Sequence, residues 1–158
     1  MRIALGSDEK TYLTGVLVDV LHSRGHEVVL FGAIAAGDPD VDWPLVSSHV
    51  ADAVASRQAD QGIVCCWTGT GASIAANKVR GVRAALCPDA ETAKGARIYN
   101  HANVLALSLR ATSEAVAKEI LEAWFATDVS DDAWNRRQVE RVFDLEMRGG
   151  RGLIPDGA

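Results

Sequence analysis

Apolar positions along this chain alternate between short unbroken runs and runs spaced three or four residues apart. The unbroken runs are "RIALGSD" (2–8), "EVVLFG" (27–32), "QGIVCCW" (61–67), "VRAALC" (82–87) and "NVLALSL" (103–109), and each reads as a buried strand. Between the first two, Leu13, Val16, Leu17, Val20 and Leu21 mark one face of a helix that Gly25 should stop. The polar loop "AAGDPDVDWP" comes next, and Pro44 suits the first turn of a helix running through Ala55. Further helices are expected at about 72–78 and 90–99, and two more, roughly 112–126 and 131–148, close the pattern. Strands that are apolar on both faces and alternate with helices imply a parallel sheet covered on each side. The expectation is therefore a single three-layer Rossmann-like α/β domain over 1–148, with a mostly parallel sheet of about five strands and C-terminal helices. The remaining "GGRGLIPDGA" (149–158) reads as a loose or partner-docking tail. Ligands of such sheets bind at the carboxyl ends of the strands.

Composition narrows the function classes. The chain has 158 residues, 48% of them hydrophobic, and a net charge of -5, which speaks against nucleic acid as a partner. No apolar run approaches the ~20 residues of a membrane span, so no membrane partner is expected. "MRIALGSDEK" reaches charge too early for a secretory signal. Three cysteines, two of them adjacent, make neither a disulfide framework nor a metal-ligand spacing, and a reducing, cytoplasmic setting is expected.

Candidate chemistry concentrates in "CCWTGTGASIAANK" (65–78). Cys66 ends the third strand, and Thr68-Gly69-Thr70-Gly71 turns into a helix. Glycines there let backbone N–H groups point outward, and the helix start favours anions and a thiolate. Buried strand cysteines beside a tight helix–sheet contact would give the same composition, which leaves both readings open. Arg137 and Arg141 share one helix face, suited either to a phosphate or simply to solvent.

The longer string "CWTGTGASIAANKVRGVRAAL" (66–86) resembles the loop "CGTGxGxSIAANKxxGIRAA" of type B ribose-5-phosphate isomerases, which the related galactose-6-phosphate isomerase subunits share. "GSD" at 6–8, "DWP" at 42–44, "NHANVLALSLR" at 100–110 and "RQVER" at 137–141 match further motifs of that family in order, so that the resemblance spans roughly 1–145. It implies an aldose–ketose isomerase acting on a small phosphorylated sugar, by default ribose 5-phosphate, without metal or redox cofactor. Cys66 would then move a proton between C1 and C2. The backbone of Thr68, Gly69, Thr70, Gly71 and Ala72 would hold the enediolate oxygen. Thr68 would contact hydroxyls or shuttle a proton, and Asp8 would handle hydroxyl protons. Asn100 and Arg110 would contact substrate, and Arg137 and Arg141 would grip the phosphate. A homodimer or dimer of dimers with shared active sites is implied as well.

Three positions depart from that pattern. Glu9 stands where the family has a phosphate-contacting histidine; Lys10 or the arginines would have to compensate, or Glu9 point elsewhere. Tyr99 replaces the histidine credited with opening the sugar ring, and His101 follows two residues later. A phenol with a pKa near 10 is a poor proton shuttle at neutral pH. Trp67 replaces the loop's usual glycine and adds bulk beside Cys66. These changes fit a shifted substrate such as a tetrose 4-phosphate, which cannot close a five-membered ring through O4, or a partner subunit that has lost part of its site. Because Cys66, Thr68, Asp8, Asn100 and both arginines persist, retained isomerase chemistry is the expectation. A thiol redox role for Cys65 and Cys66 is disfavoured, since neighbours on a strand face opposite ways. His22, His26 and His49 are expected to be structural or exposed, Cys87 to be buried, and Trp124 and Trp134 to pack where the last helices join or at a subunit contact.

Overall fold

The computed structural model describes residues 1–148, and the expected tail at 149–158 lies outside them. Five strands, β1 (Arg2–Ser7), β2 (Glu27–Gly32), β3 (Gln61–Cys66), β4 (Ala84–Leu86) and β5 (Val104–Ser108), form one sheet in the order β2-β1-β3-β5-β4. Every pairing is parallel. Six helices surround it: α1 (Tyr12–Ser23), α2 (Trp43–Ala55), α3 (Thr70–Ala76), α4 (Ala90–Asn100), α5 (Glu114–Phe125) and α6 (Ala133–Arg148).

Strict alternation along the central strands sends successive side chains to two separate cores. Ile3, Leu5, Ile63, Cys65, Leu105 and Leu107 face α1, α4 and α5, which contribute Leu17, Leu21, Ala96, Ile120 and Trp124. Ala4, Val64, Cys66, Val104 and Ala106 face α2 and α3, which contribute Val50, Val54, Ala72 and Ala76. Small residues dominate this second side because α2 lies close to the sheet: a Cβ on Gly6 would come within 2.6 Å of Val50. Each fully buried Leu or Ile is worth about 1.5–3 kcal/mol against leaving it in water.

Local signals set most of the boundaries. Thr11 and Thr14 exchange side-chain-to-backbone hydrogen bonds that cap α1, Gly25 ends the following turn at φ 76°, and Pro44 sits in the first turn of α2. Two expectations shift. α3 starts at Thr70 rather than Ala72, because Gly69 in the left-handed conformation serves as its N-cap. β4 has only three residues, since it is an edge strand paired with β5 alone.

Trp124 is fully buried and donates its indole N–H to Gln61 Oε1 at 2.6 Å. Trp134, by contrast, is 60% exposed, so it does not pack at the helix join. Cys87 is buried, and His22 is exposed. The ring of His26 packs 4.6 Å from that of Phe125, and burial lowers its pKa.

Candidate active site

The sheet order reverses direction between β1 and β3, the place where open α/β sheets leave a crevice at their carboxyl ends. Register there pairs Ser7 with Cys65 and Cys66 with Ser108, which draws the ends of β1, β3 and β5 together. Asp8, Glu9, Cys66, the Thr68–Ala72 loop and Arg110 all leave the sheet at this edge.

Cys65 and Cys66 differ by the face each occupies. Cys65 packs in the α1/α4/α5 core, where burial drives its thiol far above the ordinary range. Cys66 ends β3 on the other face, 5% exposed, directly before the loop. Asp8 is half-buried, one carboxylate oxygen is enclosed without a hydrogen-bond partner, and burial raises its pKa. A raised acid pKa means that folding favours the protonated form. The stabilisation is complete below the unfolded value and is lost as pH rises through the folded one. Glu9 is exposed, and its backbone is folded back by Ser7, whose buried hydroxyl donates to the Glu9 carbonyl at 2.7 Å and accepts the Glu9 N–H at 3.3 Å.

The loop after Cys66 is tied down along its length. The Cys66 carbonyl accepts the N–H groups of Gly69 and Leu109, and the Trp67 carbonyl accepts that of Arg110. Ser108 Oγ also donates to the Trp67 carbonyl, at 3.0 Å. Thr68 and Thr70 share a hydroxyl hydrogen bond of 2.7 Å, and the Trp43 ring lies against Gly71. The N–H groups of Thr70, Gly71 and Ala72, first in α3, have no partner within the helix. Beside Thr68 a cleft of about 690 Å³ is lined by Cys87, Ser108, Arg110 and Thr112. Burial raises the Cys87 thiol to about 12. Ser7 and Ser108 carry the positioning here and escaped the sequence reading, though both lie inside quoted motifs.

Tyr99, Asn100 and His101 do not join this group within the chain. α4 leaves β4 at the carboxyl edge and returns to the amino edge, where Asn103 accepts the Gly62 N–H and bonds to Arg83. A strand length, roughly 17–20 Å, therefore separates these three from Cys66. His101 caps α4 at φ 48°, its carbonyl accepts Arg83 Nε at 2.9 Å, and its Nε2 is buried without a partner. Its ring thus turns into the fold. Tyr99 and Asn100 are exposed and line, with Gln138, Val139 and Val142 of α6, a second cleft of about 600 Å³. Arg137 and Arg141 stand exposed on α6, and Arg141 Nη1 donates to Gln138 Oε1 at 3.1 Å. The candidate residues thus form two clusters, one at the carboxyl edge of the sheet and one lying away from it, on the end of α4 and on α6. Among the described residues, no three His, Cys, Asp or Glu side chains gather to hold a metal ion, and no helix is long and apolar enough to cross a membrane.

A family model described as Ribose/Galactose Isomerase matches residues 3–142, both clusters included. The chain belongs to the ribose/galactose isomerase family. It is an aldose–ketose sugar-phosphate isomerase by that membership. Within this isomerase family, ribose-5-phosphate isomerase B of Escherichia coli is 36% identical over 148 residues, 93% of this chain and 97% of that protein. D-erythrulose-4-phosphate isomerase of Pectobacterium atrosepticum is 37% identical over 125 residues, 78% of this chain and 82% of the other. The solved structure of Clostridium thermocellum ribose-5-phosphate isomerase B superposes with a TM-score of 0.86 at 39% identity, covering 94% of this chain and 99% of that one.

Proposed function

We propose that this isomerase interconverts ribose 5-phosphate and ribulose 5-phosphate by proton transfer through an enediolate. The observation that carries the reading is Cys66 at the end of β3, with the Thr68–Ala72 backbone on one side and Asp8 at the neighbouring strand end. The Cys66 thiolate takes the proton from C2, electrons move onto the C1 oxygen, and the N–H groups of the loop hold the developing negative charge. The proton returns to C1, while Asp8 and Thr68 carry the hydroxyl proton between O2 and O1. Oxidation at one carbon balances reduction at its neighbour, so the chemistry calls for no redox cofactor. Arg110 supplies cationic charge from the Cys66 cluster. Arg137 and Arg141 take the phosphate from the other, joined by Asn100 and Tyr99. A second copy of the chain supplies that second cluster, so the working unit is a homodimer or a dimer of dimers in the cytoplasm. The exposed Trp134 on the helix that carries both arginines supports that docking.

A tetrose 4-phosphate is the second reading, favoured by Tyr99 at the ring-opening position and by the 37% identity to the Pectobacterium isomerase. Assays on four- to six-carbon sugar phosphates test both readings. Turnover is expected on ribose 5-phosphate or on a tetrose phosphate, and a chain that isomerises none of them would refute the proposal.

A further inference from the structure

Arg83 lies just before β4, where its side chain joins the two helices of the second cluster. It is partly buried in the wall of the cleft of about 600 Å³ that Tyr99, Asn100, Gln138, Val139 and Val142 also line. Its Nε donates to the His101 carbonyl at 2.9 Å, and His101 is the left-handed residue that closes α4 directly after Tyr99 and Asn100. Its Cζ stands over the ring of Phe143 on α6, 5.0 Å from the centroid, a cation–π distance. The root of Arg83 is fixed as well. Asn103 Oδ1 accepts its backbone N–H at 2.8 Å, and its Nη1 donates to the Gly81 carbonyl at 3.3 Å, which also accepts Asn103 Nδ2 at 2.9 Å. The Glu146 carboxylate, about one turn beyond Phe143, accepts the Gly81 N–H at 3.2 Å. α6 is otherwise thinly anchored, since Asn135 and Val139 are its buried residues. Arg137 and Arg141 therefore ride on a helix whose second half is held by Val139, by the Arg83–Phe143 contact and by Glu146.

We infer that Arg83 is a positioning residue that sets α6, with Arg137 and Arg141, against the end of α4, with Tyr99 and Asn100, and so fixes the geometry of the phosphate-binding half of the site. This rests on the proposed reading of that cluster as the phosphate side and adds to it a residue that acts through others. The chemistry follows from the shape of a guanidinium, which donates in its plane while its face lies on an aromatic ring. Arg83 uses both properties at once: the donors hold the His101 and Gly81 carbonyls, and the cation holds Phe143. A lysine ammonium keeps the charge but has no such plane. Paired arginine contacts to a phosphate depend on direction as well as distance, so a tilt of α6 weakens them both. Cys66 and its loop lie away from this network, so the loss should fall on binding rather than on proton transfer.

The test measures KM, kcat and the competitive inhibition constant of inorganic phosphate, with the sugar phosphate that wild type turns over fastest. The proteins are wild type, Arg83→Ala, Arg83→Lys, Phe143→Leu and the Arg83→Ala/Phe143→Leu double variant, with Arg137→Ala/Arg141→Ala as the reference for a lost phosphate site. Arg83→Ala should raise KM and the phosphate constant by about tenfold or more and leave kcat within about threefold. Arg83→Lys should stay at least about threefold weaker than wild type in phosphate, because the charge alone does not hold both helices. Phe143→Leu alters a part-exposed ring, guards against a folding defect at Arg83, and should also weaken phosphate by about threefold or more. The double variant should bind phosphate no worse than Arg83→Ala, since the ring has lost its partner already. Phosphate constants less than about threefold from wild type in Arg83→Ala and Phe143→Leu overturn the inference, even where kcat or Tm falls, because Arg83 then serves the fold alone. A lysine variant that binds phosphate like wild type overturns it too, since charge without positioning then suffices. If phosphate does not inhibit wild type, or inhibits the Arg137→Ala/Arg141→Ala protein equally, the phosphate reading of α6 fails and this inference fails with it.

Discussion

Cys65 and Cys66 share a side chain and adjoin in sequence, yet only one can act on a substrate. The period of a strand made that difference legible, because neighbours must face opposite layers, and the two thiols do lie in separate cores. Cys66→Ala should lower kcat by about 10²–10⁴ with the fold intact by circular dichroism, the range expected for loss of a general base. Cys65→Ala should leave kcat within about twofold and cost on the order of 1 kcal/mol of stability, as a small buried truncation does. Equal rates for the two variants would remove Cys66 from the mechanism. Other residue-scale features were not legible. One-dimensional pattern carries no information on which oxygen of Asp8 is enclosed, or on His101 turning its ring inward from a left-handed cap. Both depend on the neighbours that the tertiary fold supplies.

Strands and helices were readable almost to their ends, since continuous apolar runs, Thr11, Gly25 and Pro44 act locally. The order of the strands was not, because which strand lies beside which depends on packing between segments far apart in sequence. That order decides the site. It places β1 against β3, so that Asp8 leaves the sheet beside the strand end that carries Cys66, and it carries the end of α4 to the far edge with Tyr99 and Asn100. The early start of α3 has the same origin. Gly69 adopts φ 76° with its Cα pressed against β5, and an added Cβ would lie 2.6 Å from Leu86 Cδ1 and 2.9 Å from the Leu107 carbonyl. Gly69→Ala therefore combines a left-handed backbone, worth about 1–2 kcal/mol, with an overlap against main chain that cannot move aside. Tm should fall by about 5 °C or more, and activity should drop because the N–H groups of the loop are displaced. Gly25→Ala is the control. Gly25 shares φ 76° but nothing lies within 4 Å of its would-be Cβ, so only the backbone cost applies and activity should be retained. Equal losses of activity in the two variants would show that the Gly69 loop has no special part in the site.

At the scale of the whole molecule, the two clusters pose a geometric problem that one chain does not solve. Cys66, Asp8 and Arg110 sit at the carboxyl edge of the sheet, Tyr99 and Asn100 at the amino edge, and Arg137 and Arg141 on the exposed side of α6. The sequence motifs run through both clusters in order, which made the set of residues legible but not its division in space. If two copies pair so that each completes the other's site, defects in separate clusters should complement. Cys66→Ala spoils the first cluster, and the double variant Arg137→Ala with Arg141→Ala spoils the second. Each protein alone should be inactive or nearly so. After mixing and subunit exchange, half of the pairs contain one chain of each kind, and each mixed pair has one site with neither defect. Recovered activity should approach about a quarter of wild type, the value set by twofold symmetry and random exchange. Sites built within single chains would each keep a defect, and mixing would restore nothing. A mixture that exchanges subunits, as shown by mass spectrometry, yet stays inactive would therefore place the whole site inside one copy and remove the second from the mechanism.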